Sequence, residues 1–380
     1  MNVMDTYARS PVTFVRGEGS WLYDDNGKEY LDFLGGLAVV AIGHAHPAVA
    51  AAVAKQMETL VHVSNLFSTE PMHRLASKLA DLSGLERVFF CNDGATANEA
   101  AIKLARRYGQ KHHDSGRYRV ISLVNSFHGR TLATLAATGQ PAKQAVFEPL
   151  PPGFSQVPAG DFGRLEAVVD DSVAAVMLEI IQAEGGVFPL GNDYLASVRD
   201  LCDRSGALLI IDDVQAGVGR TGNWYSWQST GIAPDIATSA KALGNGLPIG
   251  ACLATEEVAS AFDRGDHATT FGGGPVICAA ALAVLEVIES EHLLENCRVR
   301  SRQLVAGLQL LKGIKDVRGK GLLLAAQLTS DNAVEVARAA LGHGLVVNGV
   351  RADAIRLTPP LSVSAAEIDL GLERLALALA

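Results

Sequence analysis

Aromatic side chains and clusters of basic residues are both scarce in this sequence. Aromatic residues make up 6% of the 380 residues, no block of Lys and Arg occurs, and the formal net charge is −9. A protein that binds duplex nucleic acid needs a basic face to neutralise phosphates. We therefore expect no nucleic-acid partner, although single cationic side chains can still capture a small anion.

Long apolar runs are also missing. None reaches the roughly 18 residues needed to span a bilayer. Residues 1–16 contain neither the apolar stretch nor the small-residue cleavage site of a secretory leader. We therefore expect no membrane partner and a cytoplasmic location for the protein.

Cysteine is rare, and its spacing matches neither a metal site nor a disulfide framework. The five cysteines are scattered and include no C-x-x-C pair. Each lies in an apolar stretch or a helical pattern, which favours a reduced, buried thiol. The adjacent His112 and His113 have no carboxylate or Cys at metal-ligand spacing. We predict no metal site.

The sequence does contain many short apolar runs that alternate with helix-period segments. Five such runs, at residues 87–91, 120–124, 174–181, 208–214 and 249–254, are typical of strands buried on both faces. The alternation predicts an α/β fold with a large, mainly parallel mixed sheet and helices on both of its faces. The length favours more than one domain.

Two adjacent carboxylates, Asp212 and Asp213, lie near the end of the apolar run at residues 208–214. Buried carboxylates are costly unless they are paired, and ligands of parallel α/β sheets lie beyond the carboxyl ends of the strands. A helix cap or a surface pair is the alternative interpretation. The G-x-G-x-x-G that follows, residues 217–222, opens no helical period, so we reject a dinucleotide-binding loop and a dehydrogenase.

Three further segments carry residue types suited to a small anionic or carbonyl ligand. Lys241 precedes a glycine-rich turn, and in an apolar setting it would have the low pKa that a Schiff base requires, although most lysines reach solvent. Residues 91–101 form either an anion-binding turn at a helix start or an ordinary N-cap. Phe127 and Arg130 are suited to stacking on a flat ring and to holding a carboxylate.

Together these segments resemble the class III (ornithine-type) aminotransferases, which depend on pyridoxal 5′-phosphate (PLP). Residues 212–222, DDVQAGVGRTG, are similar to the family's D-E-V-Q-T-G-x-G-R-T-G, and Lys241 follows at the family's spacing. Residues 127–131, 269–273 and 355–361 also fall in family order. The match runs from about residue 17 to the C-terminus.

The resemblance implies the architecture of a fold type I PLP enzyme that works as a homodimer. The large PLP-binding domain would comprise residues 46–285. A small α+β domain would combine an N-terminal segment, residues 1–45, with residues 286–380. The active site would lie at the interface between the two subunits.

The resemblance also assigns a role to individual residues. Lys241 forms the Schiff base and Asp212 pairs with the pyridinium nitrogen, so both are catalytic. The remaining cofactor-binding residues are Gly94 and Ala95 at the phosphate, Phe127 on the ring, Gln215 near the phenolic oxygen, and Thr270 from the second subunit. The substrate-binding residues are Arg356 for the α-carboxylate of glutamate or 2-oxoglutarate, Glu184 to cover Arg356 when an ω-amine binds, and Arg130 for the far carboxylate.

The N-terminal third is similar to the branch of the family that acts on N²-acetylornithine. Residues 31–39, 43–47 and 64–67 carry this likeness, and Leu37 stands where ornithine-specific members usually have Tyr. The resemblance therefore implies transamination between N²-acetyl-L-ornithine and 2-oxoglutarate, a step of arginine biosynthesis. The alternatives are another ω-amine, such as succinylornithine, a lysine derivative, diaminobutyrate or 4-aminobutyrate, or a catalytically weak PLP-binding protein.

Several positions depart from the family's pattern. Asp93 stands beside the phosphate turn where Ser or Thr is usual, and its carboxylate should repel a phosphate unless it caps the helix and points away. Asn245 replaces a Gly close to Lys241. The other departures are Thr96 for Glu, Gly274 for Asn, Ala216 for Thr, Ala183 for Gly and Ile181 for Pro. We expect the chemistry to survive and the cofactor affinity to be affected.

Overall fold

The computed structural model describes residues 2–113 and 116–380, which contain seventeen strands and thirteen α-helices. The strands are β1 (Phe14–Glu18), β2 (Trp21–Asp24), β3 (Glu29–Asp32), β4 (Arg87–Cys91), β5 (Arg119–Leu123), β6 (Phe154–Val157), β7 (Val173–Leu178), β8 (Ile181–Gln182), β9 (Phe188–Pro189), β10 (Leu208–Asp212), β11 (Ile236–Ser239), β12 (Gly250–Ala254), β13 (Ile314–Lys320), β14 (Leu323–Leu328), β15 (Leu345–Val346), β16 (Asn348–Arg351) and β17 (Ala354–Leu357). The helices are α1 (Gly35–Ala38), α2 (Pro47–Thr59), α3 (Glu70–Ser83), α4 (Gly94–His112), α5 (Leu132–Ala137), α6 (Pro141–Gln144), α7 (Phe162–Glu166), α8 (Asn192–Ser205), α9 (Glu256–Ala259), α10 (Pro275–Ser290), α11 (Leu293–Leu310), α12 (Ala333–Gly342) and α13 (Ala365–Leu379).

A seven-stranded sheet in the order β4, β12, β11, β10, β7, β5, β6 forms the centre of the fold. Its strands run parallel except β12, which is antiparallel to both of its neighbours. Every residue of β7, β10, β11 and β12 is buried, as expected for strands covered on both faces. The sheet confirms the predicted α/β fold class.

The parallel strands bring distant parts of the chain together at one edge of this sheet. The carboxyl ends of β4, β5, β7, β10 and β11 all point to that edge. The loops that follow these strands therefore meet there, although the residues they contain are far apart in sequence. Ligands of open α/β sheets bind at such an edge.

Two of the central strands end earlier than the apolar runs predicted. The run at 208–214 stops being a strand at Asp212, because the backbone N–H of Val214 turns back to the Asp212 carboxylate, with N···Oδ1 at 3.1 Å. The run at 174–181 breaks after Leu178, where the Glu179 carboxylate accepts the N–H of Ala183 at 3.3 Å. In both cases a carboxylate ends the strand by bonding to the chain that follows.

Two smaller sheets lie outside the central one. The first has the order β1, β2, β3, β15, so the N-terminal hairpin pairs with a strand from the C-terminal part of the chain. The second has the order β13, β14, β17, β16. The predicted domain boundaries stay a prediction, and the one between residues 285 and 286 falls within α10.

The described residues offer no obvious membrane or metal contact. Within residues 2–113 and 116–380, no helix has both the length and the apolar character needed to cross a membrane. The same residues contain no group of three or more His, Cys, Asp and Glu side chains placed to hold a metal ion. The five cysteines are buried and free.

Gly371 gives a test of how the C-terminal helix packs on the N-terminal segment. It lies in α13, where an added Cβ would come within 2.4 Å of the fully buried Phe33 ring. We expect Gly371→Ala to lower the free energy of unfolding by about 1–3 kcal/mol, as overpacking does.

The matched control is Gly342→Ala in α12, where an added Cβ meets nothing within 4 Å. That change should leave the stability unaltered or raise it by less than ~1 kcal/mol. Denaturant titration of both variants makes the comparison. Equal stabilities would show that Phe33 and α13 are not packed as described.

Candidate active site

A cavity of about 430 Å³ opens at the carboxyl edge of the central sheet. Seven of the residues predicted from the sequence line it: Gly94, Ala95, Phe127, Arg130, Asp212, Gln215 and Lys241. They come from the loops after β4, β5, β10 and β11, which the sheet topology places side by side. The structure therefore gathers most of the predicted site in one enclosed space.

Asp212 is a buried carboxylate that lines this cavity. Its Oδ2 accepts hydrogen bonds from Asn98 Nδ2 at 2.7 Å and from His128 Nδ1 at 2.8 Å. The Oδ1 of Asn98 in turn accepts from the Thr238 hydroxyl at 2.7 Å, which fixes the orientation of the amide. Since a buried carboxylate is costly without such partners, this network holds Asp212 ready to pair with a cationic group in the cavity.

Lys241 begins a short 3₁₀ helix directly after β11 and the single residue Ala240. Removal of its ammonium group from water lowers the pKa of Lys241 to about 8, against the opposing effect of Glu184 and with a smaller contribution in the same direction from Arg356. A lysine with this pKa is partly neutral near pH 7. It can therefore attack a carbonyl carbon, as the Schiff-base role requires.

The turn between β4 and α4 is suited to a phosphate group. Gly94 and Ala95 are the first residues of α4 and line the cavity, and their backbone N–H groups have no hydrogen-bond partner among the residues described. Such orphan donors, together with the helix dipole, bind anions. A Cβ on Gly94 would lie 2.6 Å from Val214 Cγ1, so the turn needs glycine to pack against the loop after β10.

Asp93 caps α4 rather than projecting as a free charge. Its Oδ1 accepts the N–H of Thr96 at 2.8 Å, and the Thr96 hydroxyl accepts the N–H of Asp93 at 3.1 Å. In this capping box the backbone N–H of Thr96 is already bonded to Asp93, so it is not free to bind a phosphate. Asp93 still lines the cavity and is exposed, so its negative charge remains beside the phosphate turn.

Phe127 is held in place by a carboxylate that the sequence analysis did not single out. Its backbone N–H donates to Glu179 Oε2 at 3.0 Å. Glu179 is itself buried, and burial raises its pKa well above the usual range, with the nearby Asp212 acting in the same direction. Glu179 lines the cavity as well.

Arg356 and Glu184 form an ion pair next to the cavity. Arg356 is 1% exposed, and its guanidinium donates to Glu184 Oε1 and, at 2.9 Å, to Gln215 Oε1. Burial raises the pKa of Glu184, but Arg356, Lys241 and Gln215 together outweigh the effect of burial and lower this pKa to about 2. Glu184 is therefore ionised near neutral pH, and it is bound directly to the Arg356 guanidinium.

Thr270 is the one predicted residue that lies away from the cavity. It is exposed, in a segment packed near Asn65, whose Nδ2 donates to the carbonyls of Thr269 at 3.2 Å and Gly272 at 2.9 Å. Within one chain the structure does not bring Thr270 to the site. Its predicted role therefore depends on a second subunit.

Asn245, a departure from the family's glycine, fits the backbone at this position. Its φ of 46° lies in the left-handed region, which Asn tolerates better than most residues. The side chain accepts the N–H of Ile42 at 3.0 Å and donates to the carbonyl of Gly43 at 2.9 Å. The amide thus fastens the lysine loop to the N-terminal segment.

Asn98, Thr238, His128 and Glu179 belong to the hydrogen-bond networks around Asp212 and Phe127 but were not predicted from the sequence. Asn98 and Thr238 lie on α4 and β11, where neither residue stands out from its neighbours. Glu179 gave a usable signal, because it directly follows a fully buried strand, as Asp212 ends one. The same argument from costly buried charge would have selected it.

Comparison with known proteins agrees with this geometry. Residues 3–379 match the family model described as aminotransferase class-III. The acetylornithine aminotransferase of Thermosynechococcus vestitus is 50% identical, over 100% of this chain and 95% of its own length.

Solved structures agree as well. The ornithine aminotransferase of Toxoplasma gondii superposes with a TM-score of 0.95 at 32% identity, covering 100% of this chain and 92% of that one. A PLP-bound amine transaminase from an uncultivated Pseudomonas species has a TM-score of 0.93 at 30% identity, covering 100% of this chain and 97% of that one. The chain belongs to the class III aminotransferases, which confirms the family, enzyme class and fold type predicted from the sequence.

Asp93 makes the phosphate turn testable. We expect Asp93→Ser to tighten PLP binding about fivefold, because a like charge a few ångströms from a phosphate costs about 1 kcal/mol even in water. Titration of the cofactor-free protein with PLP, followed by absorbance and tryptophan fluorescence, gives the dissociation constant.

Asp161→Ser is the matched control for this change. Asp161 caps α7 through the same type of bond, with Arg164 N at 3.0 Å, and does not line the cavity. Its substitution should leave the PLP dissociation constant unchanged. Equal or weaker PLP binding by Asp93→Ser would show that the Asp93 charge does not act on the phosphate.

Proposed function

We propose that the protein transfers the δ-amino group of N²-acetyl-L-ornithine to 2-oxoglutarate, giving N-acetyl-L-glutamate 5-semialdehyde and L-glutamate. The observation that carries this proposal is the Glu184–Arg356 pair beside a lysine of lowered pKa. A covered arginine suits a site that takes an ω-amine first and an α-keto acid second. The 50% identity to an acetylornithine aminotransferase over the whole chain supports the donor.

The cofactor of the reaction is PLP, which withdraws electrons from the substrate carbon when its ring nitrogen is protonated. The residues of the cavity fit this group. Asp212 would pair with the ring nitrogen, and Phe127 would offer an aromatic face to the ring. The N–H groups of Gly94 and Ala95 would hold the phosphate. Lys241 would hold the cofactor through its amine and would carry a proton to and from the substrate carbon.

The two half-reactions need different states of Arg356. An ω-amine brings no carboxylate next to its reacting carbon, so Glu184 stays paired with Arg356 and neutralises it. Glutamate and 2-oxoglutarate bring an α-carboxylate, which replaces Glu184 on the guanidinium. Glu184 also accepts a hydrogen bond from Gln215 Nε2 at 3.2 Å. Gln215 would lose this bond when Glu184 leaves Arg356.

The N-terminal segment favours an acylated donor over free ornithine. Leu37 is 39% exposed, and Val39, two residues on, lines the cavity. Leu37 carries no hydroxyl that could bind the charged α-amine of free ornithine. An acetamide lacks that charge and can pack against an apolar side chain.

A homodimer completes the site in this proposal. Leu66, Phe67 and Phe271 are 87%, 66% and 68% exposed, and the bonds from Asn65 tie their two segments together. An exposed apolar patch of this kind marks an interface. Thr270 lies next to Phe271 in the patch, where it can reach the phosphate of the other subunit. A cytoplasmic location is part of the same proposal.

The visible spectrum of the PLP-loaded protein tests the proposed reaction. Adding N²-acetylornithine without a keto acid should abolish the visible band of the lysine-bound cofactor, and 2-oxoglutarate should restore it. Lys241→Ala should lack the band and lose at least about a thousandfold in turnover, as expected when a nucleophile and proton carrier is removed. A band that ignores N²-acetylornithine but responds to another ω-amine would overturn the donor.

Hybrid dimers test whether Thr270 acts across the interface. Thr270→Ala and Lys241→Ala should each impair the homodimer. Because the Thr270→Ala chain keeps Lys241, its site in a hybrid receives an intact Thr270 from the Lys241→Ala chain. Coexpressed hybrids, purified by two tags, should recover one normal site per dimer. No recovery, or a monomer in analytical ultracentrifugation, would contradict the shared site.

A further inference from the structure

Two cations lie beside the ring of Phe127, which lines the cavity. Arg130 lines the cavity, and its Cζ lies 5.6 Å from the centroid of the Phe127 ring. Lys143, on α6, places its Nζ 5.2 Å from the same centroid. Among residues 2–113 and 116–380, neither forms an ion pair. The hydrogen-bond acceptor of Lys143 is the neutral amide oxygen of Gln140.

Two like charges near one ring repel each other, and an added anion would relieve that repulsion. Lys143 is half-buried, and burial lowers its pKa, with Arg130 acting in the same direction. The face of Phe127 attracts both cations but neutralises neither. Glu184 is the carboxylate that raises the pKa of Lys143, and it is already bound to Arg356 and Gln215.

The family resemblance already implies that Arg130 holds the carboxylate at the end of the substrate remote from the reacting carbon. We propose that Lys143 binds the same carboxylate alongside Arg130. The identity of that carboxylate rests on the proposed function. In N²-acetylornithine it is the α-carboxylate, and in glutamate and 2-oxoglutarate it is the γ-carboxylate. Lys143 is thus a specificity residue for acidic substrates in both half-reactions.

The need for two different cations follows from the two substrates. The remote carboxylate of N²-acetylornithine is one carbon farther from the reacting carbon than the γ-carboxylate of glutamate. A planar guanidinium binds a carboxylate in a fixed, forked geometry, whereas a lysine ammonium on four methylenes can shift. Arg130 therefore provides the fixed contact and Lys143 the contact that adapts to length.

A pair of donors that differ only in the remote carboxylate tests the proposal. N²-acetylornithine carries it, and N-acetyl-1,4-diaminobutane does not. In Lys143→Gln, the KM for N²-acetylornithine should rise about tenfold, as expected for the loss of a hydrogen bond to a charged group. Its kcat, and the kcat/KM for N-acetyl-1,4-diaminobutane, should stay within about twofold because the lost contact is made only by the remote carboxylate.

Two further variants sharpen the comparison. Lys143→Arg keeps the charge but not the adaptable ammonium, so it should recover only part of the affinity for N²-acetylornithine. Lys312→Gln makes the same neutralising change at an exposed position after α11, outside the cavity, and should have no effect. An unchanged KM in Lys143→Gln, or an equal loss for both donors, would overturn the role of Lys143.

L-Glutamate tests the role of Lys143 independently of whether N²-acetylornithine is the donor. Single-turnover rates are measured with L-glutamate and with its neutral isostere L-glutamine. Lys143→Gln should weaken the binding of L-glutamate and leave that of L-glutamine unchanged. If the wild-type protein ignores N²-acetylornithine, the proposed function fails while this arm still tests the subsite. A loss shared equally by L-glutamate and L-glutamine would reject the subsite whichever donor is correct.

Discussion

The buried carboxylate of Asp212 is the constraint around which the rest of the site is arranged. It ends a strand whose five residues are all buried, where an unpaired charge would be costly. Its partners come from three other elements: Asn98 from α4, His128 from the loop after β5 and, through Asn98, Thr238 from β11. The demand for these partners fixes how the helix and loops sit over the edge of the sheet.

The charges of the site depend on one another in the same way. Glu184 remains ionised despite burial because Arg356 lies against it, and Lys241 loses basicity because burial outweighs the attraction of Glu184. Such buried ion pairs add little to the free energy of unfolding, because each charge must first leave water. In the proposed reaction, a substrate carboxylate would therefore replace Glu184 on Arg356 at modest cost, because one charge-assisted contact is exchanged for another.

The sequence predicted five of the seven strands of the central sheet, together with the adjacent carboxylates and the lysine, because each has a local signal. Arg87–Cys91 was placed to the residue, since an apolar run between a glycine-containing turn and a helix start leaves little freedom. The partners of Asp212 have no local signal. Asn98 lies 114 residues from Asp212, and only the sheet topology brings them together. Lys143 was missed for the same reason, because only the fold places it beside Phe127.

Two departures from the family's pattern lie close to Lys241 and to the turn before α4. In each, the new side chain forms hydrogen bonds with the nearby backbone. Asn245 replaces a glycine at a positive φ, and its amide bonds to the backbone around Ile42 and Gly43. Asp93 replaces a hydroxyl residue, and its carboxylate forms the capping bond that Ser or Thr would form. The geometry of the turn is thus preserved while its charge is not. Since helix capping needs only an acceptor but phosphate binding also responds to charge, cofactor affinity can vary without any change in the fold.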